Sequence, residues 1–161
     1  MSMKVLESLK DAGATYEVID CEPSFADTAE FCNHYGYSLD ESANAILLEG
    51  KAESPVYALC VVLATTRINV NKVARKRLGT RKASFASAEI TKELTGMEIG
   101  GVNPVGLPVD LPIWIDSLVM ETRKVIIGGG SRSAKIYLSP DNLLRFPNTH
   151  IVDGLSMPIV N

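Results

Sequence analysis

The chain has 161 residues, 46% of them apolar, and a formal net charge of −3. That length suits one domain, residues 1–161, with a core of its own. The longest apolar run, 56–64, is too short to cross a bilayer and no signal-type core follows Met1, so membrane and secretory classes are excluded and a cytoplasmic protein is expected.

Residues 2–12 predict a helix, with Val5 and Leu9 four apart and Gly13 as its stop. A strand is expected over 15–20, then a connector at 23–26. Asp27 or Thr28 caps a second helix that runs to Tyr35 and ends at Gly36. Two apolar runs, 44–49 and 56–63, flank a polar turn and predict a hairpin buried on at least one face. Asn69 or Asn71 caps a basic helix to Leu78. Residues 83–86 are extended, and Ser87 caps a helix carrying Ile90, Leu94 and Met97. Short strands are expected at 113–116 and 124–127. Residues 133–138 alternate, with Ala134, Ile136 and Leu138 on one face and Ser133, Lys135 and Tyr137 on the other. Ser139-Pro140-Asp141 starts another helix, and a last strand covers 149–152. Unevenly mixed hairpins and helices predict an α+β fold with a mixed or mostly antiparallel sheet.

The three cysteines, Cys21, Cys32 and Cys60, are odd in number and form no Cys-x-x-Cys, which predicts reduced, buried thiols. Cys32 and His34 make a Cys-x-His pair, but no second ligand pair accompanies it; a core thiol and a surface histidine are expected, with no metal. Charge is unevenly spread. Residues 1–66 hold eleven acids and three lysines, whereas 67–82 hold seven basic residues and no acid. Such a stripe suits either a phosphate backbone or a solvated helix face.

Gly100-Gly101-Val102-Asn103-Pro104-Val105-Gly106-Leu107-Pro108 is the densest glycine and proline segment, and Gly128-Gly129-Gly130-Ser131 follows it. Glycine allows close approach to the backbone and proline stiffens the loop, so both segments suit either ligand binding through main-chain N–H groups or tight turns at sheet corners. Gly128-x-Gly130 fails as a dinucleotide fingerprint: Ser133 stands where the third glycine belongs, and period 2 follows it. No Gly-Lys-Ser/Thr and no Gly-x-Ser-x-Gly occurs, which excludes a P-loop and a nucleophile elbow. Backbone donors aimed at a carbonyl oxygen remain as the available chemistry.

In this order, Phe85-Ala86-Ser87-Ala88-Glu89, the Gly100–Gly106 loop, the Gly128–Arg132 corner and Leu138-Ser139-Pro140-Asp141-Asn142-Leu143 resemble the YbaK/prolyl-tRNA synthetase-associated domain family. The basic helix and the Asp27-Thr28-Ala29-Glu30 segment also fit. The resemblance implies an α+β domain with a curved, mixed, barrel-like sheet and flanking helices. It implies a free-standing aminoacyl-tRNA deacylase that clears a small mischarged amino acid by ester hydrolysis, assisted by the substrate's own 2′-hydroxyl, with no cofactor. Gly100, Gly101, Asn103, Pro104 and Gly106 would form the catalytic loop. Gly129, Gly130 and Ser131 would line the opposite wall, with Val102 also contacting substrate. Arg75, Lys76, Arg77 and Arg81 would face tRNA phosphates. The implied partners are mischarged tRNA and a synthetase, with no DNA and no membrane, for a monomer or homodimer. Family members commonly carry a lysine where this chain has Asn44; asparagine keeps a donor and an acceptor and loses the charge. Two other readings stand beside the enzyme: a module that binds aminoacyl groups without turnover, and an adaptor that docks on a synthetase through its acidic first third.

Overall fold

The computed structural model describes residues 2–159. Helix α1 (Met3–Asp11) starts where the Ser2 side chain accepts the Val5 N–H at 3.4 Å, and it buries Val5 and Leu9, one turn apart. Strand β1 (Glu17–Asp20) and a 3₁₀ turn at Pro23–Phe25 lead into α2 (Thr28–Tyr35). Asp27 holds the N-cap position of α2, and its carbonyl accepts the Phe31 N–H at 2.8 Å, but its side chain caps no helix amide; the carboxylate pairs with Arg132 instead.

Strands β2 (Ala43–Gly50) and β3 (Val56–Leu63) form the expected hairpin, with Asn44 opposite Val62. β3 is apolar throughout because both its faces are covered. Leu59 and Val61 enter the main core, while Ala58, Cys60 and Val62 enter a second one with Trp114 and Leu155. Strand β4 (Thr66–Ile68) precedes the basic helix, where Asn69 caps a wide turn at Val70–Ala74 that runs into α3 (Arg75–Leu78). Strand β5 (Ala83–Phe85) leads to α4 (Ala88–Thr95), whose cap is Ser87 accepting from the Ile90 N–H at 3.1 Å. Strand β6 (Ile113–Asp116), α5 (Ser117–Met120), β7 (Val125–Gly128) and β8 (Ala134–Leu138) follow, then β9 (Thr149–Val152) and β10 (Ser156–Pro158).

The α+β expectation holds, but the strands form three sheets in place of one curved sheet. β5-β2-β3-β6-β9 is five-stranded and mixed, with β3, β6 and β9 mutually parallel. β1-β8-β7 is antiparallel, and β10-β4 is a ribbon. Among the described residues the strands form no closed circuit, so the barrel-like expectation is not borne out. After β6 the chain turns through α5, and β7 crosses to pair with β8, touching the large sheet at the single Ser42–Ile126 bridge. Elements β4, α5 and β10 are three or four residues long, too short for a period to register. The segment after Ser139 is a 3₁₀ turn, Pro140–Arg145, and Ser139 Oγ accepts from the Asn142 side chain, not from a helix amide.

All three cysteines are buried and unpaired. Burial pushes the Cys60 thiol up to about 12. Native protein treated with an alkylating reagent near neutral pH is therefore expected to leave Cys60 untouched until it unfolds. Peptide mass spectrometry before and after denaturant checks this.

Candidate active site

A cleft of about 400 Å³ opens between β2, the start of α2, the 99–102 segment and the residues Phe85 and Ala86. One of its walls is a turn. The Gly101 N–H donates to the Glu98 carbonyl at 2.8 Å, and Gly100, third in the turn, has φ +92°. A glycine at positive φ in that place defines a type II turn. Three successive carbonyls of this segment are held. Ile99 accepts from Arg132 Nη1 at 2.8 Å, Gly100 from Lys135 Nζ at 2.6 Å, and Gly101 from the Gly130 N–H at 2.6 Å. The N–H groups of Gly100 and Val102 have no acceptor among the described residues, and both residues line the cleft. Because a trans peptide is planar, fixing its carbonyl fixes its N–H on the opposite side.

The remaining predicted loop residues lie elsewhere. Asn103 is fully buried; its side chain donates to the Gly128 carbonyl at 2.8 Å and accepts the Val105 N–H at 2.7 Å. Its own N–H points to Met97 Sδ at 3.3 Å. Pro104 and Gly106 line a separate groove with Leu107 and Phe146. The two glycine segments pack backbone on backbone. A Cβ on Gly101 would stand 2.4 Å from the Ser131 carbonyl oxygen, and one on Gly128 would stand 2.4 Å from the Gly101 carbonyl carbon. These glycines permit contact between two main chains. Gly129, Gly130 and Ser131 thus back the 98–101 segment, and Gly128 reaches the cleft. Gly129 accepts from the Ser2 N–H, Gly130 accepts from the Glu98 N–H, and Ser131 Oγ pairs with Ser133 Oγ.

Asn44 lines the cleft half-buried, and its Oδ1 accepts from Thr28 Oγ1. The cation of this cleft comes from a different strand. Lys135 on β8 is 5% exposed; its Nζ donates to the Ala26 and Gly100 carbonyls and lies 5.6 Å from the Phe31 ring centre. Burial pulls this ammonium below its ordinary pKa, and the Cys21 thiol opposes the shift. Alternation along β8 grouped Lys135 with Ser133 and Tyr137, so nothing in the sequence marked it. Arg132 was likewise passed over; a cation directly after a glycine corner was the available signal.

The basic stripe divides. Arg75 and Arg81 share a surface groove with Lys51, Asn71 and Lys82, and Arg75 is braced by the Asn71 and Thr80 carbonyls at 3.0 and 3.1 Å. Arg77 turns away, its guanidinium 5.0 Å from the Trp114 ring centre, and Lys76 is exposed outside the groove. Strand β5 joins groove to cleft: Ala83 borders the groove, and Phe85, 56% exposed, borders the cleft. Cys32 and His34 diverge, the thiol meeting Ser42 Oγ at 3.1 Å and the imidazole stacking on Phe25 at 3.9 Å. Among the described residues no cluster of three His, Cys, Asp or Glu side chains could hold a metal ion, and no helix is long and apolar enough to cross a membrane.

This fold and cleft match a known class. The family described as "Aminoacyl-tRNA editing domain" matches residues 22–146, and the chain belongs to that family. Its relatives include the "Uncharacterized protein YwhH" of Bacillus subtilis, 32% identical over 130 residues that cover 81% of this chain and 80% of that protein. The "Putative Cys-tRNA(Pro)/Cys-tRNA(Cys) deacylase EbsC" of Enterococcus faecalis is 25% identical over 62% of this chain and 58% of its own length. Among solved structures, that of "a putative trans-editing enzyme for prolyl tRNA synthetase" superposes with a TM-score of 0.79 over 95% of this chain and 97% of the other, at 24% identity.

Proposed function

We propose that the chain is a free-standing aminoacyl-tRNA deacylase that hydrolyses the ester of a small mischarged amino acid. The observation that carries this is the pair of unspent N–H groups at Gly100 and Val102 on the cleft wall, each on a peptide whose carbonyl is held. Donors fixed in this way stabilise a developing oxyanion without reorganising during the reaction. A volume of about 400 Å³ accepts a small aminoacyl group with part of its ribose and little more. Among the described residues no cysteine, histidine or serine lines the cleft; Thr28 donates to Asn44, Lys135 to two carbonyls, Asp27 pairs with Arg132, and the buried Thr91 has no histidine beside it, which favours attack by water assisted by the substrate's 2′-hydroxyl over a protein nucleophile. Gly100 and Val102 act as donors in this reading, and Asn44 orders the water or the ribose from the β2 wall. Gly101, Asn103, Pro104 and Gly106 shape the loop, and Gly129, Gly130 and Ser131 back it. The family assignment and the deacylase name of a relative support the same reaction class.

The groove around Arg75 and Arg81 is the proposed seat of tRNA phosphates, with Lys51 and Lys82 added and Arg77 and Lys76 in lesser roles. Phe85 stands between groove and cleft, where an unpaired base could stack. Arg75→Glu with Arg81→Glu is expected to weaken tRNA binding by at least about tenfold at low salt and to flatten the salt dependence, with hydrolysis at saturating tRNA retained. Filter binding across a salt series checks this.

A second reading, a binding module without turnover, is favoured by the internal use of the Gly101, Asn103 and Gly130 amides. Incubation with alanyl-, cysteinyl-, seryl- and threonyl-tRNA separates the two. Release of one or more amino acids supports the deacylase; salt-sensitive binding with every ester intact overturns it in favour of the module.

A further inference from the structure

We propose that Arg132 and Lys135 are positioning residues, a two-cation clip that keeps the 98–101 turn in the one peptide orientation that leaves the Gly100 N–H unspent. The proposal rests on the deacylase reading for its kinetic consequence and stands apart from it for its structural one.

Types I and II of a four-residue turn differ by rotation of the central peptide, here the one between Ile99 and Gly100. Glycine in the third place accepts either sign of φ, so Ile99-Gly100 does not select an orientation by itself. The φ of +92° at Gly100 is the type II choice. One charge-assisted hydrogen bond holds the central peptide itself, Arg132 Nη1 to the Ile99 carbonyl at 2.8 Å, and a second, Lys135 Nζ to the Gly100 carbonyl at 2.6 Å, anchors the peptide that follows it. Flipping the central peptide would withdraw the Ile99 oxygen from Arg132 and turn it to the side where the Gly100 N–H now stands. A donor would be replaced by an acceptor, which repels an oxyanion.

Both cations are anchored at their other ends to one short segment. Arg132 Nε donates to the Pro23 carbonyl at 3.1 Å and Nη1 to Asp27 Oδ1 at 3.1 Å. Lys135 Nζ donates to the Ala26 carbonyl at 2.5 Å. The turn is therefore tied to residues 23–27, at the entrance to α2. Among the described residues Lys135 has no carboxylate within ion-pair distance. Burying an ammonium against carbonyls alone is costly, so apolar packing would serve stability better there. Its placement is accounted for by the turn that it holds.

Arg132→Gln and Lys135→Met are each expected to lower kcat about a hundredfold with KM within about threefold of wild type. Arg132→Lys and Lys135→Arg are expected to retain more activity than the neutral variants. Independently of catalysis, the amide chemical shift and HN–Hα couplings of Gly100 in nuclear magnetic resonance spectra report the sign of its φ, and both neutral variants are expected to move them while distant Gly154 stays fixed. Wild-type kcat in both neutral variants, or unmoved Gly100 signals in both, overturns the clip. An inactive wild type overturns the deacylase reading instead, and the Gly100 signals still decide the clip.

Discussion

Gly101→Ala is expected to lower deacylation by a factor of about a hundred to a thousand, the range seen when one oxyanion donor is lost. The added Cβ would stand 2.4 Å from the Ser131 oxygen and 2.7 Å from the Ser131 nitrogen and carbonyl carbon. These are main-chain atoms, so no side-chain rotation relieves the clash. The 128–131 corner must move, and with it the Gly130 N–H that holds the Gly101 carbonyl and so directs the Val102 N–H. Overpacking of this kind costs about 1–3 kcal/mol of stability as well. Gly36→Ala is the matched control. Gly36 has φ +78° and nothing within 4 Å of its Cβ position, so only the left-handed conformation is penalised, by about 1–2 kcal/mol, with kcat unchanged. Equal kinetics in the two variants would remove the loop contact from the mechanism.

Asn44→Lys is expected to slow hydrolysis by about tenfold or to change the preferred amino acid, because it sets a second ammonium in a cleft that already holds one. Lys135 is faced by Arg132, by Asp27, and by the Cys21 and Cys32 thiols. Adding a cation to the same cleft favours its neutral form, and because the charged lysine holds the Gly100 carbonyl, the loss of rate on deprotonation is expected at lower pH than in the wild type. Asn44→Asp has the opposite sign: a carboxylate favours the charged lysine and carries the same loss to higher pH. Profiles of kcat against pH for the two variants test the pair. Identical kinetics across several mischarged tRNAs would remove Asn44 from the site.

Much of the scaffold was legible because its signals are local. Ser87 caps its helix where the sequence placed it, the 2–12 helix forms with Ser2 as its cap, and the 44–49 and 56–63 runs pair as a hairpin. Asp27 was read as a cap, yet a distant guanidinium claims its carboxylate, a tertiary competition that no local pattern carries. For the site, glycine density pointed to the right segments and gave them an incomplete role. Gly101 and Gly128 let two loops touch, and the Gly101 and Gly130 amides are used inside the protein. Lys135 was hidden because alternation reports which side of a strand a residue takes, not whether that side is covered by another element.

Strand β5 sets a spacing. Three residues of strand span about 10 Å, so the basic groove and the cleft, the proposed seats of phosphate and ester, lie within a nucleotide or two of each other. A free amino-acid ester would fill one of these seats and leave the other empty. Under the proposed deacylase function, cellular metabolites that carry the same reactive bond escape destruction because they lack the polymer attached to it, and selectivity for translation needs no selectivity in the bond-breaking chemistry.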